Sequence, residues 1–278
     1  MQITSNMRRI TSREHPVFKK LFKLQRSSRQ RRDDGLALLD GIHLLQSYLA
    51  SGRIPELLIV SESGGQHAEI NQLLGSIGKD FGRADCLMLS DALFNQISLV
   101  KTPVGIMTLV RIPRHTRSVD SYEDSFCIAL EAIQDPGNLG SILRSAVAAG
   151  VKDAFLSSDC ADSWSPKTLR AGMGAHFSLR IHEDSDLIQI ACQFNGNVIA
   201  TALAGADNIY HTDLRGPVMF AFGNEGCGVS EELLEVVRER VAIPMPGCAE
   251  SLNVAAAAAI CLFEKIRQEN SGESYSQE

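Results

Sequence analysis

Apolar stretches that end in glycine-containing turns recur in the second half of this chain, and each precedes a stretch with the composition of a helix. The apolar stretches are 125–133, 197–203 and 218–222. Continuous apolar runs of this length are typical of strands buried on both faces of a parallel sheet. Ligands bind such sheets at the carboxyl ends of the strands. We therefore expect an α/β domain with a binding site at the turns 137–140, 205 and 223–228.

The stretch 243–260 adds a fourth element to this predicted site. Pro244 and Pro246 exclude helix and remove two backbone donors, so this loop is stiff and extended. Ser251 and Asn253 then stand where an alanine-rich helix begins. An ordinary capped helix explains the two polar residues. A helix with so little side-chain bulk also lets a backbone or a flat ligand come close, and both interpretations stay open.

Two predicted helices of the same half carry basic residues. Arg144 lies near the middle of a small, apolar helix, and Asn138 lies in the turn before it. Since a buried Arg normally has an anionic partner, we predict that Arg144 belongs to a site. Lys167 and Arg170, three residues apart, share one helix face and are either phosphate ligands or ordinary surface charges.

A nucleotide-dependent oxidoreductase with NAD is one alternative for a strand followed by a glycine-rich turn and a helix. Gly137 and Gly140 do not form the G-x-G-x-x-G fingerprint of dinucleotide binding, however. The sequence therefore disfavours this class of enzyme.

Strands alternate with helices in the first half as well, over residues 36–110. This alternation predicts a small α/β sandwich, which contains no acid–base constellation. His43 and His67 are isolated and fit surface or structural positions. We interpret this half as a binding module, with residues 1–14 loose and the polar, Pro-containing stretch after residue 110 as a linker.

The beginning of the chain is strongly basic. Ten Lys and Arg against one Glu give the first 32 residues a formal charge of +9, which leaves −15 on the rest of a chain whose net charge is −6. The spacing of Val17, Leu21 and Leu24 predicts one amphipathic basic helix over 17–32. A basic segment on an acidic body is typical of proteins that contact phosphates, although a solvated helix face is the simpler explanation. The candidate RNA-binding residues are Lys19, Lys20, Lys23, Arg26, Arg29, Arg31, Arg32, Lys167 and Arg170.

Composition limits the compartment and the cofactors. No apolar run approaches the roughly 20 residues that span a bilayer, and the start has no apolar core of a secretory signal. An Arg-rich, acid-poor start imitates a mitochondrial transit peptide, which we keep as a minor alternative. The seven cysteines form no C-x-x-C pair, so we expect neither a disulfide framework nor a metal site. These features predict a cytoplasmic protein without membrane or metal.

Three ordered motifs resemble those of the SpoU (TrmH-like) RNA 2′-O-ribose methyltransferases of the SPOUT superfamily. They cover 135–144, 222–230 and 243–254, within a similarity that extends over 122–268. The first half resembles the L30e-like substrate-binding domain that precedes the catalytic domain in rRNA-modifying members. The resemblance thus implies an L30e-like domain over 1–112, a linker over 113–121, a methyltransferase domain over 122–268 and a disordered tail over 269–278.

The family's catalytic fold is a parallel-sheet α/β domain with a deep trefoil knot, which general rules of chain topology would not predict. The resemblance implies that the loops 203–206, 223–228 and 243–253 form the knot and hold S-adenosylmethionine. It also implies a homodimer with the active site near the subunit interface.

Residue roles carry over only by resemblance. The positions that match the catalytic site are Asn138, Arg144, Glu225, Ser251 and Asn253. The positions that match the cofactor site are Leu203, Ala204, Gly205, Gly223, Asn224, Gly228, Ile243, Met245, Ser251 and Leu252.

The implied reaction is methylation of a ribose 2′-hydroxyl in structured RNA, and the L30e-like domain favours rRNA. The family assigns Arg144 as general base, but a guanidinium stays protonated in proteins. We expect Arg144 instead to remain cationic, beside a phosphate or a developing alkoxide. Alternatives are a tRNA 2′-O-methyltransferase and a non-catalytic RNA-binding or ribosome-assembly factor with the same fold.

Overall fold

The computed structural model describes residues 7–80, 85–113, 126–202 and 205–271. The chain divides into two compact units. The first holds the described residues up to 113 together with Trp164–Phe177, and the second holds the remaining described residues. Most of the predicted linker, the tail from 272 onwards and the candidate residues Leu203 and Ala204 lie outside the described residues.

Both units contain a β-sheet. The strands are β1 (Arg8–Ile10), β2 (Leu36–Asp40), β3 (Leu57–Ser61), β4 (Cys86–Leu89), β5 (Ile106–Arg111), β6 (Phe126–Leu130), β7 (Asp153–Leu156), β8 (Arg180–His182), β9 (Asn197–Thr201), β10 (Asp207–Asn208), β11 (Val218–Phe222) and β12 (Glu239–Ala242). The α-helices are α1 (Pro16–Arg26), α2 (Ser28–Asp34), α3 (Ile42–Ala50), α4 (Ala68–Asp80), α5 (Asp91–Ile97), α6 (Pro136–Ala148), α7 (Pro166–Gly172), α8 (Leu187–Gln193), α9 (Glu231–Val236) and α10 (Val254–Asn270).

The first unit is a mixed sheet in the order β1-β4-β3-β5-β2. β3 and β4 are parallel, whereas β5 is antiparallel to both of its neighbours. Successive residues of β2 point to opposite faces, so Leu38 packs in one apolar cluster with α1 and α5. Leu39 packs in another cluster with Trp164 and Leu169. The segment Trp164–Phe177, which includes α7, therefore covers part of the first unit's sheet.

The basic beginning of the chain differs from the prediction in two ways. The predicted helix over 17–32 is two helices, because Ser27 is extended and its hydroxyl accepts from the Gln30 amide at 3.2 Å as the N-cap of α2. Residues 1–14 were expected to be loose, yet β1 adds a parallel strand to β4. Because α1 contributes Leu21 and Leu24 to the core, this segment is an integral part of the fold.

The second unit is a seven-stranded, all-parallel sheet in the order β10-β12-β9-β11-β6-β7-β8. β11 is buried along its whole length and β6 at every residue after Phe126, which explains their continuous apolar sequences. α8 and α9 contribute to the apolar cluster on one face, and α6 packs against α10. The carboxyl ends of β12, β9, β11 and β6 lie side by side at one edge, where the predicted binding turns begin.

One predicted helix of this unit is wrong over its second half. The sequence predicts helix over 231–240, but α9 ends at Val236 and residues 239–242 form β12. The β-branched Val236 and Val237 disfavour continuation of the helix, and Val237 is extended. Pairing of β12 with β9 then defines the strand. The threading of the chain as a trefoil knot stays a prediction.

None of the helices in the described ranges has the length and apolarity that crossing a bilayer requires.

Candidate active site

Three candidate catalytic residues meet in one hydrogen-bonded network at the carboxyl edge of the parallel sheet. Asn138 lies in the first turn of α6, after β6; Glu225 follows β11; and Asn253 precedes α10. Asn138 Nδ2 donates to Glu225 Oε1 at 3.0 Å, and Asn253 Nδ2 donates to Asn138 Oδ1 at 2.9 Å. Asn138 thus joins two loops that are distant in sequence.

Glu225 fixes the turn after β6. Its carboxylate accepts from the backbone amides of Gln134 at 3.2 Å and Asp135 at 3.1 Å, in addition to Asn138. Partial burial alone would raise the pKa of Glu225, but these hydrogen bonds outweigh burial and lower it. The side chain is therefore an ionised acceptor that orders the loop.

Asn253 is also the N-cap of α10. Its Oδ1 accepts from the backbone amides of Ala255 at 2.9 Å and Ala256 at 3.4 Å. Because the carbonyl oxygen caps the helix, the amide nitrogen is directed to Asn138. The two interpretations of this polar residue from sequence, cap and site residue, therefore describe one side chain.

The turn 223–228 is closed on itself. The backbone N–H groups of Asn224 and Gly228 donate to each other's carbonyl oxygens at 2.9 Å. Asn224 Nδ2 donates to the carbonyl of Ala132 at 2.9 Å, and its Oδ1 accepts from the Gly226 amide. A Cβ atom on Gly223 would lie 2.1 Å from the backbone of Gly228, so only glycine permits this closure.

Apolar and backbone groups dominate the other cofactor positions. Ile243 and Met245 are half-buried on the loop after β12, and Leu252 is 39% exposed although it is apolar. Gly205 and Gly228, on the loops after β9 and β11, have φ of 64° and 77°, a backbone conformation that favours glycine. Such a surface fits an adenine and a ribose, which are neutral and bind through apolar contact and backbone hydrogen bonds.

Ser251 and Arg144 are exposed. The prediction that Arg144 is buried with an anionic partner is wrong. Its position on α6 faces solvent, because the core side of that helix is formed by Leu139, Ile142 and Leu143. A cation on this outer face can meet an anionic ligand, and no carboxylate among the described residues forms an ion pair with Arg144.

Comparisons with known proteins decide the family. Residues 125–263 match the model of the SpoU rRNA methylase family, and residues 15–108 match that of the MRM3-like substrate-binding domain. The chain belongs to the SpoU rRNA methylase family.

Several relatives of this SpoU chain are similar over nearly their whole length. A tRNA/rRNA methyltransferase of Synechocystis, described as uncharacterised, is 32% identical, with 96% of each chain covered. The 23S rRNA guanosine-2′-O-methyltransferase RlmP of Bacillus subtilis is 30% identical, with 92% of this chain and 98% of the relative covered. An AdoMet-bound rRNA methyltransferase from Sinorhizobium meliloti superposes with a TM-score of 0.81 at 28% identity, covering 94% of this chain and 98% of the other.

These matches confirm the expected family, the α/β fold class with its preceding small domain, and S-adenosylmethionine as the methyl donor of the family. The chain is therefore an rRNA-methylase-type enzyme rather than an NAD oxidoreductase. In the described ranges, no three His, Cys, Asp or Glu side chains come together as metal ligands would.

The candidate RNA-binding residues of this SpoU chain differ in accessibility. Arg31 was predicted to bind RNA, but it is 5% exposed and donates to the carbonyl of Leu24 at 2.5 Å, so it stabilises the junction of α1 and α2. Lys20 lies 3.5 Å from Asp34 and Arg29 lies 3.6 Å from Asp33, in exposed ion pairs. The remaining predicted cations are exposed: Lys19, Lys23, Arg26, Arg32, Lys167 and Arg170.

Sequence reasoning missed residues that hold the site together. Glu131, directly after β6, accepts from both the amide and the hydroxyl of Ser230, at 2.7 and 2.6 Å. Asp135 caps α6 by accepting from the amides of Gly137 and Asn138. An Asp before Pro at a helix start is a recognisable cap signal. The partner of Glu131 is 99 residues away and has no local signal.

Proposed function

We propose that this chain transfers a methyl group from S-adenosylmethionine to a ribose 2′-hydroxyl of 23S rRNA. The observation that carries the proposal is the network of Asn138, Glu225 and Asn253, which lies at the strand ends where the cofactor positions also lie. The similarity to RlmP, whose name gives 23S rRNA as its substrate, favours rRNA over tRNA.

S-adenosylmethionine supplies a methyl group already activated on a sulfonium, so the chain's own residues need only orient the acceptor and manage one proton. We assign the holding of the ribose to Asn138 and Ser251, which match catalytic positions of the family. Asn253 restrains Asn138 through its 2.9 Å hydrogen bond, so the Asn138 amide is presented in one orientation. Leu252, Ile243 and Met245 provide the apolar contacts for adenine.

Glu225 acts as an anchor rather than as the general base. Both of its oxygens already accept hydrogen bonds, and these bonds lower its pKa, which makes the carboxylate a weaker base. Arg144 remains cationic and stabilises the phosphate beside the ribose or the developing alkoxide.

The RNA contacts of the first unit come from the exposed cations of α1 and α2, which bind phosphates electrostatically. We further propose that the enzyme is a cytoplasmic homodimer, as the family resemblance implies. The division into domains at 113–121 is likewise proposed from the sequence.

The test is transfer of radioactive methyl from S-adenosylmethionine to protein-free 23S rRNA, 16S rRNA and tRNA. We expect label in 23S rRNA alone, recovered by mass spectrometry as a 2′-O-methylnucleoside. Label in tRNA would support the alternative substrate. Label on a base, or cofactor binding without any transfer, would overturn the proposed reaction.

A further inference from the structure

A cavity of about 200 Å³ in the first unit is lined mostly by apolar side chains and by four polar ones. The polar residues are Gln25 on α1, Asp40 at the end of β2, and Lys167 and Arg170 on α7. None of the candidate methyl-transfer residues lines it. The cavity therefore presents one amide, one carboxylate and two exposed cations beside its leucine side chains.

The side chain of Gln25 indicates that this cavity is a binding site rather than a gap in packing. The residue is 3% exposed, and within the described part of the chain neither Nε2 nor Oε1 has a hydrogen-bond partner. Leaving a buried amide unsatisfied destabilises the folded state, whereas a leucine at the same position would carry no such penalty. A buried amide without a partner calls for an explanation, and a group bound in the adjoining cavity supplies one.

Asp40 supplies the second polar group. Its Oδ2 accepts from the Ser98 hydroxyl at 2.7 Å, and a carboxylate has capacity for further donors. Burial raises the pKa of Asp40, while the Ser98 hydrogen bond and the charge of Arg170 oppose that effect. The carboxylate is thus a half-buried acceptor whose best partner is a group with two adjacent N–H donors.

We propose that this cavity binds an unpaired guanine of the RNA substrate. Guanine carries two adjacent donors, N1–H and the exocyclic N2 amine, which match the Asp40 carboxylate, and its O6 accepts from the Gln25 amide. Adenine, cytosine and uracil lack the paired donors. Leu38, Leu44 and Leu169 contact the base plane, and Lys167 and Arg170 bind its phosphate.

This site rests on the proposed RNA substrate, because it assigns the first unit a base-specific contact in addition to the phosphate contacts of α1 and α2. Unpaired bases are the features of folded RNA that proteins read by hydrogen bonds and apolar contact. A cavity below the size of drug-binding pockets suits a single base rather than a larger ligand.

The first experiment titrates the full chain with GMP, IMP, AMP, CMP and UMP while the side-chain amide of Gln25 is followed by NMR. We expect GMP alone to shift this signal strongly. IMP, which lacks the N2 amine, should bind about tenfold more weakly, as expected for loss of one half of a paired contact. Equal shifts with all five nucleotides, or none, would overturn the guanine site.

Two variants test the partners. Gln25→Leu should abolish GMP binding measured by calorimetry while the melting temperature stays at or above that of the wild type, and Gln66→Leu, on an exposed Gln of the same unit, is the control. Asp40→Asn should exchange the preference from GMP to XMP, which presents an oxygen in place of the amine. If Gln25→Leu and Asp40→Asn both retain wild-type GMP affinity, the assignment is wrong.

The last measurement separates this site from the proposed enzyme activity. With 23S rRNA as substrate, Gln25→Leu should raise KM about tenfold and leave kcat and cofactor affinity unchanged. A wild-type chain that binds GMP at Gln25 but methylates no rRNA would refute the proposed function and keep the site. Normal methylation by Gln25→Leu, together with no GMP binding by the wild-type chain, would refute the site alone.

Discussion

Asn253 donates a hydrogen bond to Asn138 at 2.9 Å while its carbonyl oxygen caps α10, so one side chain couples the start of a helix to the predicted catalytic turn. The coupling is directional, since only the amide nitrogen can donate. Each half of the Asn253 side chain can therefore be tested by a different substitution.

Asn253→Asp should preserve α10 and impair catalysis. An aspartate is as good a cap as asparagine, but it cannot donate to Asn138 and instead places a carboxylate oxygen against Asn138 Oδ1. We expect kcat to fall at least about tenfold while the free energy of unfolding changes by less than about 1 kcal/mol. Asn253→Ala should lose both properties. Full activity of Asn253→Asp would show that the hydrogen bond to Asn138 is dispensable.

Gly223→Ala should open the turn 223–228. The new Cβ would lie 2.1 Å from the Gly228 backbone, which cannot move without breaking its bonds to Asn224. Overpacking of this kind costs about 1–3 kcal/mol, so we expect S-adenosylmethionine affinity to fall about tenfold or more by calorimetry. Gly226→Ala is the matched control, because its Cβ would meet only Asn224 Oδ1 at 3.5 Å. Equal cofactor affinities for both variants would contradict a role of this closed turn.

Arg144→Lys should retain measurable turnover if Arg144 acts as a charge, whereas Arg144→Ala should lose about 100-fold or more in kcat. The exposed position of Arg144 means that neither change disturbs the core of α6. Lys152→Ala, at another exposed cation of the second unit, should be neutral. Complete loss of turnover in Arg144→Lys with RNA binding intact would exclude a simple charge effect.

Removal of Lys23 and Arg32 together should weaken RNA binding in a salt-dependent manner. Each phosphate contact contributes about one unit to the slope of log Kd against log salt, so Lys23→Gln with Arg32→Gln should reduce the slope by about 1–2. Arg215→Gln is the control, since Arg215 is exposed in the second unit and already bound to Asp213. Deleting residues 1–32 is a poor test, because that segment supplies core residues of the first unit. An unchanged slope would remove α1 and α2 from the RNA-binding surface.

We expect the stability of the second unit to fall in acid because of Asp153. Burial alone would raise the pKa of this carboxyl, but hydrogen bonds from His182 and Arg180, reinforced by their charges, lower it from 3.8 to about 2. A lowered pKa stabilises the folded state by about 2 kcal/mol at pH values above the unfolded pKa. That contribution is lost as the pH falls from about 4 towards about 2.

Asp153→Asn should therefore lower the free energy of unfolding near neutral pH by about 2 kcal/mol or more and flatten its decline in acid. Urea unfolding between pH 7 and pH 2.5 measures both effects. The pKa of the exposed Asp213 is also lowered to about 2, by hydrogen bonds from Arg215, but solvent screens that pair. Asp213→Asn should accordingly change the pH dependence of the free energy of unfolding little. If Asp153→Asn shows the same pH dependence as the wild type, Asp153 does not have the proposed role.

The sequence predicted the central strands well because burial on both faces leaves an uninterrupted apolar run, as in β6 and β11. It missed β1 and assigned β12 to a helix. Arg8-Arg9-Ile10 and Glu239-Arg-Val-Ala242 have no strand pattern of their own, and only pairing with neighbouring strands defines them. Short strands of this kind are specified by tertiary contacts rather than by local sequence.

The candidate site was likewise predicted only in part from the sequence. Motif resemblance named Asn138, Glu225 and Asn253, but not the bonds between them, which join residues 87 and 115 positions apart. The inference that Arg144 is buried relied on the small residues around it. Those residues pack on the core side of α6, whereas Arg144 lies on its exposed face.

The placement of Trp164–Phe177 has a consequence for how this enzyme can be divided. Trp164, Leu169 and Phe177 belong to the apolar cluster of the first unit, although they lie inside the stretch that matches the methyltransferase family. A fragment cut at the family boundaries would expose these three side chains to water. The complementary fragment would leave Leu39 and Val110 without their cover. Each half would thus lose apolar contacts when separated, and a chimera between relatives must exchange the segment Trp164–Phe177 together with the amino-terminal half.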